Sequence, residues 1–347
     1  MSLENKDAGR PDRQSPPAMA TDGAPEHLTS PYQPRQTPRV ISIQSHVVHG
    51  YVGQKACTFP LQLLGFDVDA VNTVQFSNHT AYRHVSGQRA TAEHLRELLC
   101  GGLVPNQLLH GVQYVLTGYM RSDDWADAVL ELLQRIREAN AEDVCNQDGA
   151  HASKEAPTLR YVCDPVLGYA GRLYVPEEMI AVYRDRLAPH AYLITPNAFE
   201  LQCLANGESD VERACDWLHR ERGVPHIVVT SCPPPQITSP SSQGPPEVIL
   251  LSTGTAEPKQ WFRLPRRFPM QFTGSGDLTA ALLLAWTHRT GSVSKAVPIA
   301  MSSVYHVLRR TFECGRVVQP GLAPELCLIE SREDLCRPEM VCQRVYI

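Results

Sequence analysis

The segment FTGSGDLTAALLLAW, at residues 272–286, joins a glycine-rich turn to the start of an apolar helix. Gly274 and Gly276 permit a tight turn and the close approach of a ligand, and Ser275 lies between them. The unpaired N–H groups of the first helical turn then point towards one spot, with the positive end of the helix dipole behind them. This pattern predicts an anion site that can stabilise a phosphoryl group during its transfer.

Asp277 lies at the same spot, and its position allows two interpretations. An acid here can act simply as the N-cap of the helix. Alternatively, its carboxylate accepts the proton of an attacking hydroxyl, and a weak base suffices because phosphoryl transfer depends mainly on orientation. The chain contains no G-x-x-x-x-G-K-[ST] sequence, which excludes a P-loop nucleotide-binding site.

Two further carboxylates follow predicted strands: Asp164 in CDP and Glu200 in TPNAFE. If they meet above one sheet, they suit a Mg²⁺ ion that keeps some of its waters and bridges phosphates. Taken singly, Asp164 can be a turn residue before a proline, and Glu200 can be an acid in a first helical turn. Their occurrence together with the predicted anion site favours the metal site.

Hydroxyl groups also follow successive strands, at Ser45, Thr80 and Tyr119. Val74 and Phe76 add apolar surface nearby in the sequence. Together they could form a pocket for a flat aromatic molecule with polar edges. The alternative is that each is an ordinary loop or core residue.

Segments with strand and helix patterns alternate over most of the chain from residue 39 onwards. The predicted strands are 40–43, 66–74, 112–119, 159–165, 191–197 and 226–231, followed by an antiparallel pair from EVILLS and KQWFRLP. The predicted helices are 53–65, 91–100, one capped by Ser122, 176–188, 198–206, 210–222, 276–290 and 293–311. This alternation predicts a mostly parallel sheet with helices on both faces, and ligands beyond the carboxyl ends of its strands.

The composition indicates a soluble cytoplasmic enzyme. Of 347 residues, 43% are hydrophobic and 20% are charged, and the net charge of −5 argues against nucleic-acid or anionic membrane partners. No apolar run is long enough to span a membrane. The 11 cysteines include no C-x-x-C pair, which indicates free thiols in a reducing compartment. Residues 1–38, with seven prolines, are predicted to be a disordered tail, and 145–158 and 233–246 to be polar surface insertions in one domain, 39–347.

Several segments together resemble the pyridoxal kinases, a branch of the ribokinase-like superfamily. They are ISIQSHVVHGYVGQKACTFPLQLLGFDVDAVNTVQFSNHT (41–80), YVLTGYMR (114–121), YVCDPVLG (161–168), LYVPEEMI (173–180), ITPNAFE (194–200), VVTS (228–231), TGSGDLTAALLLAWTH (273–288) and ESREDLCRPEMVCQ (330–343). The resemblance implies a three-layer α/β/α sandwich, with small strand elements near 66–85 covering the site. It also implies a homodimer that uses ATP with Mg²⁺, helped by K⁺, to phosphorylate the 5′-hydroxymethyl group of pyridoxal, pyridoxine or pyridoxamine.

The resemblance also implies roles for individual residues. Asp277 is implied to be the base, and Gly274, Ser275 and Gly276 the anion hole. Ser45, Thr80 and Tyr119 are similar to residues that hold the pyridoxal ring, with Val74 and Phe76 packing on it. Asp164 and Glu200 would serve the metal, Glu200 through water, and Thr195 a monovalent cation. The nucleotide would be contacted by Asp164, Asn197, Glu200, Thr230, Ser231, Thr273, Gly274 and Gly276.

Three positions depart from the family pattern. Ser275 stands where the family usually has threonine, and His49 where animal members commonly have arginine. The segment 168–174 is short, and Tyr169 replaces an aspartate expected near the nucleotide phosphates or cations. Two rival functions therefore stay open: a related kinase of hydroxymethylpyrimidine or a sugar, and a vitamin B6 binding protein without catalysis. The intact Asp277 turn weighs against the second.

Overall fold

Strands and helices alternate along the chain in a computed structural model, which describes residues 37–145, 158–232, 246–314 and 324–346. The strands are β1 (Arg39–Val47), β2 (Asp67–Phe76), β3 (Gly87–Arg89), β4 (Val112–Thr117), β5 (Arg160–Cys163), β6 (Gly168–Tyr169), β7 (Arg172–Leu173), β8 (Leu193–Ile194), β9 (His226–Cys232), β10 (Glu247–Thr253), β11 (Gln260–Leu264) and β12 (Gln343–Val345). The α-helices are α1 (Gln54–Leu63), α2 (Ala92–Leu98), α3 (Asp124–Cys145), α4 (Glu178–Ala181), α5 (Ala198–Leu204), α6 (Val211–Arg222), α7 (Ser275–Thr290), α8 (Val293–Cys314) and α9 (Arg332–Cys336).

Ten of the described strands form one sheet in the order β12-β11-β10-β9-β8-β5-β4-β1-β2-β3. The neighbouring strands from β9 to β2 all run parallel. β3 and the strands β10 to β12 pair in the antiparallel sense at the two edges. The mostly parallel central sheet predicted from the sequence is confirmed.

The parallel strands are apolar on both faces, because helices cover both sides of the sheet. In β5, the side chains of Tyr161 and Cys163 join one buried cluster and that of Val162 joins the other. The first cluster includes Leu132 of α3 and Leu201 of α5, whereas α1, α7, α8 and α9 pack against the opposite face. Two separate cores flank one sheet, which is the predicted three-layer α/β/α sandwich.

Some local predictions were wrong in detail. Helix α3 begins at Asp124, and the amide of this residue donates to the carboxylate of Asp123 at 2.9 Å, so Ser122 lies one residue too early to be the N-cap. Residues 67–76 form no small covering element, because β2 pairs with β1 along its whole length, from Arg39 with Asp67 to Val47 with Phe76.

The helices predicted at 91–100 and 176–188 are α-helical only in part. Short π-helical stretches follow them, at Leu99–Leu103 after α2 and at Val182–Leu187 after α4. The predicted tail 1–38 and the insertions 145–158 and 233–246 lie outside the described residues, apart from their end positions. In the described part of the chain, no helix has the length and apolar character that crossing a membrane requires.

Burial predicts which helical leucines carry the stability of the fold. Leu283 of α7 is fully buried, whereas Leu98 at the end of α2 is 41% exposed. We expect Leu283→Ala to lower the free energy of unfolding by about 2–5 kcal/mol, because it leaves a cavity. Leu98→Ala, the matched control, should change it by about 0.5 kcal/mol or less. Urea unfolding of both variants measures the difference, and equal losses would contradict the assignment of the core.

Candidate active site

The glycine-rich turn lies at the start of α7, as the sequence predicts. Gly274 is the N-cap residue, with φ of 85°, and a side chain on it would collide with the carbonyl oxygen of Tyr51. The hydroxyl of Ser275 donates to the carbonyl of Phe272 at 3.1 Å, which closes the turn. The amides of the first helical turn have no acceptor within the helix, so they can receive an anion.

Asp277 is the third residue of α7 and does not cap this helix, so the N-cap interpretation is wrong. Its Oδ2 instead accepts the amide N–H of Gly53 at 2.8 Å, at the start of α1. Burial raises the pKa of the Asp277 carboxyl to about 6, although the Gly53 N–H lowers it in part. A pKa in this range suits a general base that works near neutral pH.

Gly53 is a site residue that sequence analysis did not identify. Its φ is 52°, and a side chain here would collide with the carbonyl and hydroxyl oxygens of Ser45. Gly53 therefore brings Ser45, a predicted ring contact, close to Asp277. The signal was present in the sequence as a glycine at the first position of the helix predicted at 53–65, but nothing local connects it to an aspartate so far along the chain.

Asp164 lies directly after β5 and reaches the same turn. A side-chain carbon on Gly276 would stand 3.7 Å from Oδ2 of Asp164. The Thr195 hydroxyl donates to Oδ1 of Asp164 at 2.8 Å. Burial, and then the negative charge of Asp277, raise the pKa of Asp164 to about 7, while the Thr195 hydroxyl lowers it.

Glu200 is the third residue of α5 and is held by backbone amides. Its Oε1 accepts the N–H groups of Leu167 and Gly168 at 3.0 and 3.2 Å, and its Oε2 accepts that of Asn197 at 2.9 Å. Burial, and then the charge of Asp164, raise the pKa of Glu200 to about 8 against these three donors. Both carboxylate oxygens are occupied, which favours contact with a metal through water.

Asn197 and Glu200 form a reciprocal capping box at the start of α5. The Asn197 side chain accepts the Glu200 amide at 3.0 Å and donates to the carbonyl of Gly168 at 2.9 Å. Its amide group is therefore committed to the backbone. This contact fastens the β6–β7 hairpin beside the two carboxylates.

The three acidic side chains lie close enough to influence one another's pKa and have no cationic partner in the described part of the chain. No lysine, arginine or histidine among the described residues pairs with Asp164, Glu200 or Asp277. Within these same residues, no group of three or more His, Cys, Asp or Glu side chains can enclose a metal ion. A divalent cation here would therefore take its remaining ligands from water and phosphate oxygens, as Mg²⁺ does.

The predicted ring contacts line the carboxyl ends of three neighbouring strands. Val74 is buried and pairs with Ser45 after a β-bulge, and Phe76 pairs with Val47. The carbonyl of Tyr119, just after β4, accepts the hydroxyl of Thr73 at 3.1 Å. Bulges beside active sites redirect side chains, and this one leaves Thr73 without a partner on β1, between the pairs Gln44–Asn72 and Ser45–Val74.

Thr80 lies apart from these residues, in an exposed turn after β2. The neighbouring His79 is buried, and its Nε2 pairs with Oε1 of Glu325 at 3.1 Å. Glu325 is a second residue that sequence analysis did not identify. No local pattern marks it, because its partners come from the opposite end of the described chain.

Two of the predicted nucleotide contacts, Thr230 and Ser231, lie on β9, which neighbours β8 on the side away from β5. The Thr230 amide donates to the carbonyl of Pro196 at 3.0 Å, which joins β9 to the loop before α5. The Ser231 hydroxyl is occupied by Glu247, to which it donates at 2.6 Å. Thr273 is half-buried in the loop before α7.

The short segment 168–174 forms the β6–β7 hairpin. Ala170 and Gly171 make its turn with φ of 48° and 83°, which is the left-handed geometry of a two-residue hairpin loop. The hydroxyl of Tyr169 accepts Nη2 of Arg267 at 2.5 Å, and Nε of Arg267 pairs with Glu247 at 3.4 Å. Tyr169, which replaces the expected aspartate, thus connects this hairpin to β10 through an arginine.

Known proteins resemble this chain over most of its length. Residues 147–321 match the family model described as phosphomethylpyrimidine kinase. The pyridoxal kinase of Arabidopsis thaliana is 40% identical over 323 residues, covering 88% of this chain and 94% of the plant protein. The pyridoxal kinase of Homo sapiens is 38% identical over 327 residues, covering 88% and 97%.

A solved structure gives the same result for the fold. The pyridoxal kinase of Leishmania donovani, in complex with ADP and pyridoxamine, is 34% identical and aligns with a TM-score of 0.76, covering 88% of this chain and 98% of that one. The relatives are similar along nearly their whole length, and their fold is the ribokinase-like sandwich described above. This chain therefore belongs to the pyridoxal kinase family.

Proposed function

We propose that this protein transfers the γ-phosphate of ATP to the 5′-hydroxymethyl group of pyridoxal, pyridoxine or pyridoxamine, with Asp277 as the base. The observation that carries the proposal is a half-buried carboxylate of raised pKa at a glycine turn, where no side chain caps the start of the helix and its first amides have no acceptor within the helix. A vitamin B6 binding protein without catalysis has no use for this combination. The Leishmania relative, solved with ADP and pyridoxamine, supports the same pair of ligand classes.

The two oxygens of Asp277 have different tasks. Oδ2 is fixed by the amide of Gly53 at 2.8 Å, which leaves Oδ1 to receive the proton of the hydroxymethyl group. The fixed geometry orients the attacking oxygen, and orientation supplies most of the catalysis in phosphoryl transfer. The amides of Ser275 and Gly276 would then donate to the phosphoryl oxygens as negative charge spreads over them.

The aromatic ring of the vitamer would lie at the carboxyl ends of β4, β1 and β2. Ser45 and Tyr119 border this region and would bind the polar edges of the ring, together with Thr80 from the turn after β2. Val74 and Phe76 provide apolar surface for its faces. A hydroxymethylpyrimidine or sugar kinase would need other polar partners at these positions.

Asp164 and Glu200 would hold a Mg²⁺ ion, Glu200 through water. Both are buried acids without a cationic partner in the described residues, and Mg²⁺ prefers oxygen ligands. When bound, the ion supplies positive charge that neutralises the phosphates of ATP. Assistance by K⁺ near Thr195, contacts of Asn197, Thr230, Ser231 and Thr273 with the nucleotide, a homodimer and a cytoplasmic location remain predictions from the sequence.

The role of the base is tested by Asp277→Asn. The asparagine oxygen still accepts the Gly53 amide, but it cannot take a proton from the substrate. We therefore expect kcat for pyridoxal phosphorylation to fall by at least about 100-fold while the Kd for pyridoxal stays nearly unchanged. Steady-state kinetics with Mg-ATP and calorimetric titration of pyridoxal measure the two quantities.

Asp210→Asn is a matched control, because Asp210 caps α6 far from the turn and its carboxylate accepts the Arg213 amide at 2.9 Å. It should retain full activity. If Asp277→Asn also turns over at the rate of the unchanged protein, Asp277 is not the base. If the unchanged protein binds pyridoxal but transfers no phosphate, the binding-protein alternative is correct.

The buried carboxylate of Asp164 is expected to lower the stability of the folded protein while it serves the proposed metal site. Its pKa of about 7 in the folded protein exceeds the unfolded value of roughly 3.9, so the folded state loses stability as the pH rises between these values. Asp164→Asn removes this cost and keeps an acceptor for Thr195. We expect the free energy of unfolding of the variant to exceed that of the unchanged protein by at least about 1 kcal/mol at pH 8, with little difference near pH 4.

Thermal unfolding at both pH values measures this effect. Addition of Mg-ATP should stabilise the unchanged protein strongly and Asp164→Asn weakly, because the variant lacks the charge that holds the cation. Equal stabilisation of both proteins by Mg-ATP would show that Asp164 does not bind the metal.

A further inference from the structure

The carboxylate of Glu325 connects two loops that flank the candidate active site. Its Oε2 accepts the Tyr51 amide at 2.9 Å, in the loop between β1 and α1. Its Oε1 accepts the Tyr82 hydroxyl at 2.8 Å and faces Nε2 of His79 at 3.1 Å, in the turn after β2. The Glu325 side chain therefore links the loop before α1 to the turn after β2.

Glu325 is ionised and firmly held. Its side chain is 13% exposed, and that of His79 is 6% exposed. Burial raises the pKa of Glu325, but His79, the Tyr51 amide and the Tyr82 hydroxyl outweigh this effect and lower the pKa to about 2. Charge-assisted hydrogen bonds of this kind are about twice as strong as neutral ones.

The first branch leads from Glu325 to the proposed base. Gly50 packs so closely on the carboxylate that a side chain there would stand 2.5 Å from its oxygens. Tyr51, whose amide Glu325 accepts, presses its carbonyl against Gly274 at the anion-binding turn. Two residues later, the Gly53 amide holds Oδ2 of Asp277. A shift of this loop would displace the base.

The second branch leads to the turn that contains Thr80. The Ala81 amide donates to Nδ1 of His79 at 3.4 Å, and the Tyr82 amide donates to the His79 carbonyl at 3.2 Å. This turn encloses Thr80, and Glu325 holds it at both His79 and Tyr82. The position of the Thr80 hydroxyl therefore depends on the same carboxylate as the position of the base.

We propose that Glu325 is a positioning residue. It fixes the loop at 48–53 and the turn at 79–82 relative to each other, and so places both around the vitamer. The proposal rests on the function proposed above for Asp277 and Thr80. Glu325 itself need not touch the substrate. Its own segment is anchored independently, because the neighbouring Leu326 is fully buried against the face of the sheet that α7 covers.

The test is Glu325→Gln, which keeps the shape of the side chain but removes its charge. We expect the KM for pyridoxal to rise and kcat to fall, so that kcat/KM for pyridoxal drops by about 10- to 100-fold, the effect of losing charged hydrogen bonds. The KM for ATP should stay within about twofold, because Thr230 and Ser231, two of the predicted nucleotide contacts, lie on β9, four strands away from β1 in the sheet. Thermal unfolding verifies that the variant is folded.

Glu333→Gln, which changes an exposed acid in the following helix α9, is the matched control and should leave both KM values unchanged. Tyr82→Phe removes only one of the donors to Glu325 and should raise the KM for pyridoxal by a smaller factor. If Glu325→Gln does not fold, this smaller rise in KM tests the positioning role instead. In the double variant the two effects should be less than additive, because both act through one contact.

The outcomes separate this proposal from the proposed base. If Asp277→Asn is inactive but Glu325→Gln keeps normal kinetics, or changes the KM values for pyridoxal and ATP equally, the positioning role is wrong and the base stands. If Glu325→Gln only lowers the melting temperature and the active fraction, with both KM values intact, its role is stability alone. If Asp277→Asn remains active, the proposed base fails independently.

Discussion

A single hydrogen bond, from the Gly53 amide to the Asp277 carboxylate, joins the starts of two helices from distant parts of the chain. Each helix directs the positive end of its dipole towards this point, which favours a negative charge there. The contact is possible only because backbones approach closely on both sides. Side chains at Gly53 or Gly274 would collide with Ser45 and Tyr51 respectively. The conformations of both loops therefore follow from the need to place one carboxylate.

The charge of the site opposes the stability of the folded protein. Burial raises the pKa values of Asp164, Glu200 and Asp277 above those of free carboxyl groups, and the charge of a neighbouring carboxylate raises those of Asp164 and Glu200 further. The backbone offsets part of this cost at Glu200 through three amide donors. Such an arrangement is unfavourable in isolation and becomes favourable when positively charged ligands arrive, which is typical of sites that bind metal and nucleotide.

The parts of this molecule that depend on local patterns could be predicted from the sequence. Apolar strands followed by capped helices determine the layers, and the glycine turn before α7 needs only neighbouring residues. The cap of α3 was predicted one residue too early, because serine and aspartate are both good caps and local sequence does not distinguish Ser122 from Asp123. Likewise, the sequence places Glu200 in a first helical turn but cannot show that amides from residues 167 and 168 occupy it.

Contacts between distant segments could not be predicted from local sequence patterns. Gly53 and Asp277 lie 224 residues apart, and Glu325 and Tyr51 lie 274 apart. No spacing rule connects such residues, since their proximity results from the order of strands in the finished sheet. A resemblance to a known family implies that Asp277 is the base, as proposed above, but it does not explain what holds this carboxylate in place.

The wide separation of these partners has a consequence for biosynthesis. A chain that emerges from the ribosome can form the β1–β2 pair early, but Gly53 has no carboxylate to bind until α7 has been made. The amide of Tyr51 likewise lacks its acceptor until Glu325 has been made. Competence for catalysis is therefore acquired late in translation, and a nascent chain carries the strands proposed to border the vitamer well before the proposed base is in place.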